Sequence, residues 1–393
     1  MDSGATFDSS SFEKKTSFSQ QPVTVKTTTM FESRDSDYIN LLRGGSVIRV
    51  MLGHLGLTWF WPPYSYFITA LLPILFFVSG AISFQNYLKR PFGTYLYKRI
   101  IGLWIPFFLL TIPVALIFSA RSLSADPISL TSWLLLWPVQ SLFPFPIGQI
   151  WFINVLLLLV ICSALVFPIL RRSRTEWFAA GLMGFIFLTL ILDKTTIVSF
   201  FRAWPVFDAL RLPGQMHQTF IFAQFYFWGA FYYKNPNLVS RSFLAAFCLL
   251  TLLPGLFLSF LNLNYVDAAV KNITDRNANY ILLAHGVISA LLLSRDALLS
   301  LINRIVPLKA LLLFANRNSY ALFLLHTPVL FVIERSLNME NLSGNLPMAL
   351  IRLLLVIIIT MLLSLPFTIL SRLITTNISK IWFISVRQWH RCG

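Results

Sequence analysis

Ten predominantly apolar stretches recur along this chain, each close to the roughly 20 residues an α-helix needs to cross a bilayer. They lie near residues 40–60, 65–84, 100–119, 150–170, 176–193, 218–233, 243–263, 279–294, 318–335 and 348–371. The run from Leu353 to Met361 carries no charge and no apolar–polar alternation, whereas strands of an outer-membrane barrel must alternate. Charged residues make up only 12% of the chain, about half the share that coats a soluble domain, so most of the exterior must meet lipid. The expected fold is an all-α polytopic membrane protein with about ten transmembrane helices. The few cysteines fit no disulfide scaffold: Cys162 and Cys248 lie in apolar segments, Cys392 lies near the end, and no Cys-x-x-Cys pair is present.

The formal net charge is +16, yet the basic residues form no single patch, so nucleic acid is not an expected partner. They sit in short clusters between apolar stretches and report orientation instead. With the N-terminus placed inside, 21 of the 31 Lys and Arg fall in inner segments and 6 in outer loops. Both termini are therefore expected in the cytoplasm. Residues 1–37, rich in Ser and Thr, read as a flexible polar cytoplasmic tail without the apolar core of a signal peptide. Residues 38–372 read as the membrane-embedded domain and 373–393 as a basic cytoplasmic tail. The stretch 131–146, with Trp133, Trp137, Pro138, Pro144 and Pro146, reads as re-entrant or interfacial. No internal repeat is apparent, which disfavours a transporter built from duplicated halves.

An ionisable group inside a span is costly and marks a functional site by default. The first span holds Arg43, Arg49 and His54. Arg43 and His54 are 11 residues apart, which on an α-helix is about 20° past three full turns and about 16 Å of rise. Both therefore leave one helix face, the arginine near the inner surface and the imidazole near mid-bilayer. Two readings of this stripe stand. Either Arg43 snorkels and His54 bonds a neighbouring helix, or both face one polar cavity. Arg49 points away, roughly 240° from Arg43, as a candidate partner for a buried polar group. His326 in the ninth span lies about 12 Å from the inner end, a depth that suits either packing or a site opposite His54. His285 enters the eighth span from the outer side. Glu334, Arg335 and Arg352 gather at the outer ends of spans nine and ten, as an ion-pair cluster or as part of an acceptor site.

These residues resemble the acyltransferase-3 family of integral-membrane O-acyltransferases. The likeness rests on Arg43-x10-His54, Phe76-Phe-Val-Ser79-Gly80, and Lys98-Arg99-Ile-Ile-Gly-Leu-Trp-Ile-Pro106-Phe. Trp151-Phe152, Phe227-Trp-Gly229 and Ser319-Tyr320-x4-Leu325-His326 follow in the same order, so it spans about residues 38–372. Three positions depart from the pattern. Asn40 stands where an acidic residue is usual, Gly102 where the loop has a second arginine, and Phe323 where tyrosine is common.

The resemblance implies transfer of an acyl group, most simply acetyl, from cytoplasmic acyl-CoA to a hydroxyl of a surface or lipid-linked carbohydrate. Arg43, Lys98 and Arg99, with Arg90 as a substitute cation, would dock the anionic acetyl-CoA. His54 would act as general base or carry the acyl group, with His326 opposite. Ser79, Asn154 and Tyr320 would stabilise the oxyanion or merely pack helices. Trp151, Glu334 and Arg352 are further candidates for substrate contact. No metal is implied, and the partners are the bilayer, acyl-CoA and the carbohydrate. The positive-inside bias and compact loops point to a bacterial inner membrane. The competing function is a transporter or flippase of glycan or lipid precursors. Asn272-Ile-Thr274 and Asn341-Leu-Ser343 are glycosylation triplets in expected outer loops.

Overall fold

The computed structural model describes residues 33–55, 72–121, 151–192, 194–205, 213–234, 240–261, 278–339 and 345–392. The 131–146 stretch, both glycosylation triplets and residues 1–32 lie outside these. All regular structure among the described residues is helical. The elements are α1 (Ser33–His54), α2 (Leu72–Leu88), α3 (Phe92–Arg121), α4 (Trp151–Arg172), α5 (Thr175–Ile191), α6 (Lys194–Arg202) and α7 (Pro213–Lys234). They continue as α8 (Arg241–Leu261), α9 (Ala278–Leu293), α10 (Arg295–Arg304), α11 (Val306–Arg317), α12 (Ser319–Ser336) and α13 (Leu346–Cys392).

Each of the ten apolar stretches overlaps one of these helices over its described residues. Four helices are long and apolar enough to cross a membrane: Phe92–Val114, Trp151–Arg172, Arg241–Leu258 and Leu346–Ile381. Two bent pairs raise the number to six if each is one span: α5 with α6, bent by 103°, and α9 with α10, bent by 66°. The protein is a multi-pass membrane protein. Leucines and phenylalanines such as Leu165, Leu250, Phe187 and Leu362 are 63–75% exposed, an outward apolar surface that only lipid can cover at low cost.

The helix carrying Arg43, Arg49 and His54 is too polar to face lipid, and it packs instead against α2, α11 and α12. Close approach comes from glycine. A Cβ on Gly44 would lie 2.0 Å from the Leu312 carbonyl oxygen of α11. The same device joins α2 to α7 reciprocally: a Cβ on Gly80 would sit 1.7 Å from the Tyr226 oxygen, and one on Gly229 1.8 Å from the Phe77 oxygen. Small residues let membrane helices touch backbone to backbone, where packing rather than the hydrophobic effect drives association. Phe76 seals this crossing, stacking on Phe222 at 4.2 Å and meeting Phe152 of α4 at a tilt of 51° with ring centroids 4.6 Å apart.

Polar ties hold the helix ends. Asp35 pairs with Arg295, and the Tyr38 hydroxyl donates to the Leu291 carbonyl at 2.5 Å, anchoring the start of α1 to α9 and α10. Lys234 Nζ donates to the Leu170 and Ser173 carbonyls at 2.6 and 3.0 Å, satisfying acceptors that the end of α4 would leave open. Arg352, 1% exposed, donates to Glu334 at 2.7 Å and to the Met339 carbonyl at 3.0 Å, pinning α13 to the far end of α12. The last helix runs unbroken from Leu346 to Cys392, so the basic segment after residue 372 continues it.

Candidate functional site

The site is built on two helices, α1 and α12. Near the start of α12, Ser319, Tyr320 and Phe323 face Arg43 and Val47 of α1 across a cavity of about 140 Å³. Leu75 and Ser79 of α2, Lys98, Arg99, Gly102 and Leu103 of α3, and Phe152 and Leu156 of α4 complete its wall. Four of the residues singled out from the sequence as donor or oxyanion groups on separate segments, namely Arg43, Ser79, Arg99 and Tyr320, thus converge on one hollow, joined by Lys98.

The electrostatics of this hollow are one-sided. Among the described residues, three cations line it and no carboxylate does. Arg43 and Arg99 are close enough to repel one another. Neither forms an ion pair among the described residues, and the buried Nε of Arg99 has no hydrogen-bond partner. Tyr320 donates its hydroxyl proton to the Leu103 carbonyl at 2.7 Å, so that proton is already committed within the wall. Gly102, which replaces the usual second arginine, is exposed, and a Cβ there would meet nothing within 4 Å.

Further along the same two helices lies the histidine pair. His54 Nδ1 is 2.7 Å from His326 Nε2, and His326 Nδ1 is 3.1 Å from the Leu322 carbonyl oxygen. His326 is completely buried, whereas His54 is exposed. Between the pair and the cationic hollow stands Phe323, 4.8 Å from the Phe152 ring and 6.0 Å from the His326 ring. Among the described residues, the wall of this hollow holds Arg43 but not His54. Both residues turn toward α12, but the hollow ends at Val47, Phe152 and Phe323.

The remaining candidates fall outside this hollow. Asn154 is buried one turn into α4 with its Oδ1 unpartnered, and Trp151 packs on Phe222 with ring centroids 5.7 Å apart. Arg90 is exposed in the turn before α3 and does not line the hollow. Glu334 and Arg352 bind each other at the far end of α12. His285 belongs to a separate buried cluster, bonded to Gln224 at 2.8 Å and enclosed by Phe225, Trp228 and Phe247. Arg49 is half-buried with an unpartnered Nε, near enough to His54 to act on its charge. No group of three metal-ligating side chains occurs among the described residues.

The apolar walls, Val47, Leu75, Phe152 and Leu156, were not legible as site residues, because apolar side chains in an apolar helix carry no signal of their own. Ser319 and Phe323 were visible only through their neighbour Tyr320 in the shared motif. No curated protein and no solved structure matches this chain. A family model described as an acyltransferase domain matches residues 36–369, an interval that holds every helix of the site. With most of its length inside that match, the chain belongs to the acyltransferase-3 family of membrane acyltransferases.

Proposed function

We propose that this acyltransferase moves an acyl group, most simply acetyl, from acyl-CoA in the cytoplasm to a hydroxyl of a surface or lipid-linked carbohydrate. The observation that carries the reading is the order of groups: Arg43 of α1 and Arg99 of α3 in the hollow, then an aromatic constriction at Phe323, then a hydrogen-bonded imidazole pair. Arg43 and Arg99 are half-buried without an ion pair among the described residues, an arrangement that is costly unless an anion answers them. The hollow holds less than half the roughly 300 Å³ that a drug-sized ligand occupies. It therefore suits a phosphate of the coenzyme rather than the whole molecule, with the thioester arm extending past Phe323. At the far end, His54 would take the proton of the attacking hydroxyl.

The topology that goes with this reading has ten spans, both termini in the cytoplasm and a bacterial inner membrane as host. The bias of basic residues toward inner segments supports it. A flippase for glycan precursors is the second reading, since α1 carries an internal polar stripe, but it leaves the imidazole pair without a task. Membranes containing the protein, incubated with radiolabelled acetyl-CoA and glycan acceptor, separate the two. Label appearing in the glycan supports transfer. Glycan crossing the membrane without label supports transport and overturns the proposal.

Two substitutions probe the donor hollow. Arg43→Ala removes a charge-assisted contact worth about 1.5–3 kcal/mol. It raises KM for acyl-CoA by about 10–100-fold while changing kcat less. Gly102 is exposed and an added Cβ there meets nothing within 4 Å, so Gly102→Arg restores a second loop arginine without a clash at its first side-chain carbon. It lowers KM for acyl-CoA by about fivefold, a typical gain for one partly exposed charge-assisted contact. Steady-state kinetics on membranes at matched protein level check both.

A further inference from the structure

We infer that His326 is a positioning residue that dictates which nitrogen of His54 is the base: His326 holds His54 as the tautomer protonated at Nδ1 and leaves Nε2 bare for the acceptor hydroxyl. The inference rests on the acyl-transfer reading above and follows from one fixed point. A carbonyl oxygen can only accept, so the contact of His326 Nδ1 with the Leu322 carbonyl at 3.1 Å puts the proton on Nδ1. In the neutral ring, His326 Nε2 is then an acceptor. Its neighbour at 2.7 Å, His54 Nδ1, must donate, because two facing lone pairs would repel. The remaining nitrogen, Nε2 of His54, keeps its lone pair on the exposed ring, while His326 is sealed behind it.

Ring geometry supports a true hydrogen bond. The two imidazoles are parallel to within 5°, with centroids 5.0 Å apart. Rings lying face to face keep their atoms roughly 3.5 Å apart, farther than the observed nitrogen separation. The rings are therefore nearly coplanar and meet edge to edge, with the N–H of one directed along the lone pair of the other. No aspartate or glutamate pairs with either ring among the described residues, and the charged group acting on His54 is Arg49. A neutral imidazole thus does the orienting that a carboxylate does in the serine-protease triad.

The chemical step then balances. The acceptor O–H gives its proton to His54 Nε2 as the oxygen attacks the thioester carbonyl carbon. The C–O bond forms, the C–S bond breaks, and the departing thiolate takes the proton back from Nε2. Between these transfers the imidazolium of His54 donates more strongly through Nδ1 to His326 Nε2, so its charge is shared across both rings, partly relieving the nearby Arg49 cation.

The test compares His326→Leu with His326→Gln in the full-length protein. Glutamine offers an amide oxygen to His54 Nδ1; leucine offers nothing. His326→Leu is expected to lower kcat by about 100-fold, within the range for a mispositioned general base, with KM for acyl-CoA unchanged. His326→Gln is expected to recover at least tenfold of that loss. Equal kcat for the two variants overturns the inference. An independent readout uses the unaltered protein labelled with ¹⁵N-histidine: His54 protonated at Nδ1 supports the assignment, and His54 protonated at Nε2 overturns it. Absence of acyl transfer by the unaltered protein counts against the function alone, and the nitrogen spectrum still decides the tautomer.

Discussion

Replacing His54 by alanine lowers kcat for acyl transfer by about 10²–10⁴-fold, the contribution typical of a positioned general base, while the protein accumulates in membranes at its usual level. The second part follows from placement. His54 sits at the last residue of α1 with an exposed side chain, so truncation removes one hydrogen bond and little packing. KM for acyl-CoA stays near its starting value, because the cations proposed to answer the coenzyme's phosphates line the hollow on the other side of Phe323. A variant that keeps full activity in a membrane assay removes the imidazole from the reaction. A variant whose kcat is preserved but whose KM rises assigns His54 to binding instead.

The largest structural effect is expected from Gly80→Leu. Even its first carbon would lie 1.7 Å from the Tyr226 carbonyl oxygen and 2.6 Å from the carbonyl carbon. Neither atom can rotate away, because both belong to the backbone of α7. The helices must separate, and the Phe76 contacts to Phe222 and Phe152 open with them. The cost is at least about 3 kcal/mol, the upper part of the range for overpacked cores. Much of the protein should be lost to degradation, and the survivor should melt several degrees lower in detergent. Gly181→Ala is the matched control: nothing lies within 4 Å of its added Cβ. That change should be neutral or stabilising by up to about 1 kcal/mol, since alanine suits a helix interior better than glycine. Equal thermal stability of the two variants excludes the close α2–α7 crossing.

How much of the site could be read in advance varies with the residue. Arg43 and His54 were findable because helical periodicity fixes the relative direction of two side chains on one helix, and the first span holds two arginines and a histidine in an otherwise apolar segment. Arg99 and Lys98 were findable as a basic entry to a span, yet nothing local distinguished them from Arg90, which the fold leaves outside the hollow. Glu334 and Arg352 looked equally suited to an ion pair and to a substrate site, and they meet each other at 2.7 Å. The glycines were the least legible. Gly80 and Gly181 each occupy an apolar helix, and only the position of a neighbouring backbone separates an indispensable glycine from a replaceable one.

Hydropathy and periodicity are properties of neighbouring residues along the chain. They alone sufficed for a helical membrane protein, for segments that are helical wherever their residues are described, and for the shared face of Arg43 and His54. The contact between His54 and His326 joins residues 272 positions apart. It depends on α1 and α12 running side by side at one depth and azimuth, and on Phe323 standing between the pair and the cationic hollow. Helix faces find one another through shape and backbone clearance, which no short stretch of residues encodes, so the contact between His54 and His326 is a property of the assembled bundle.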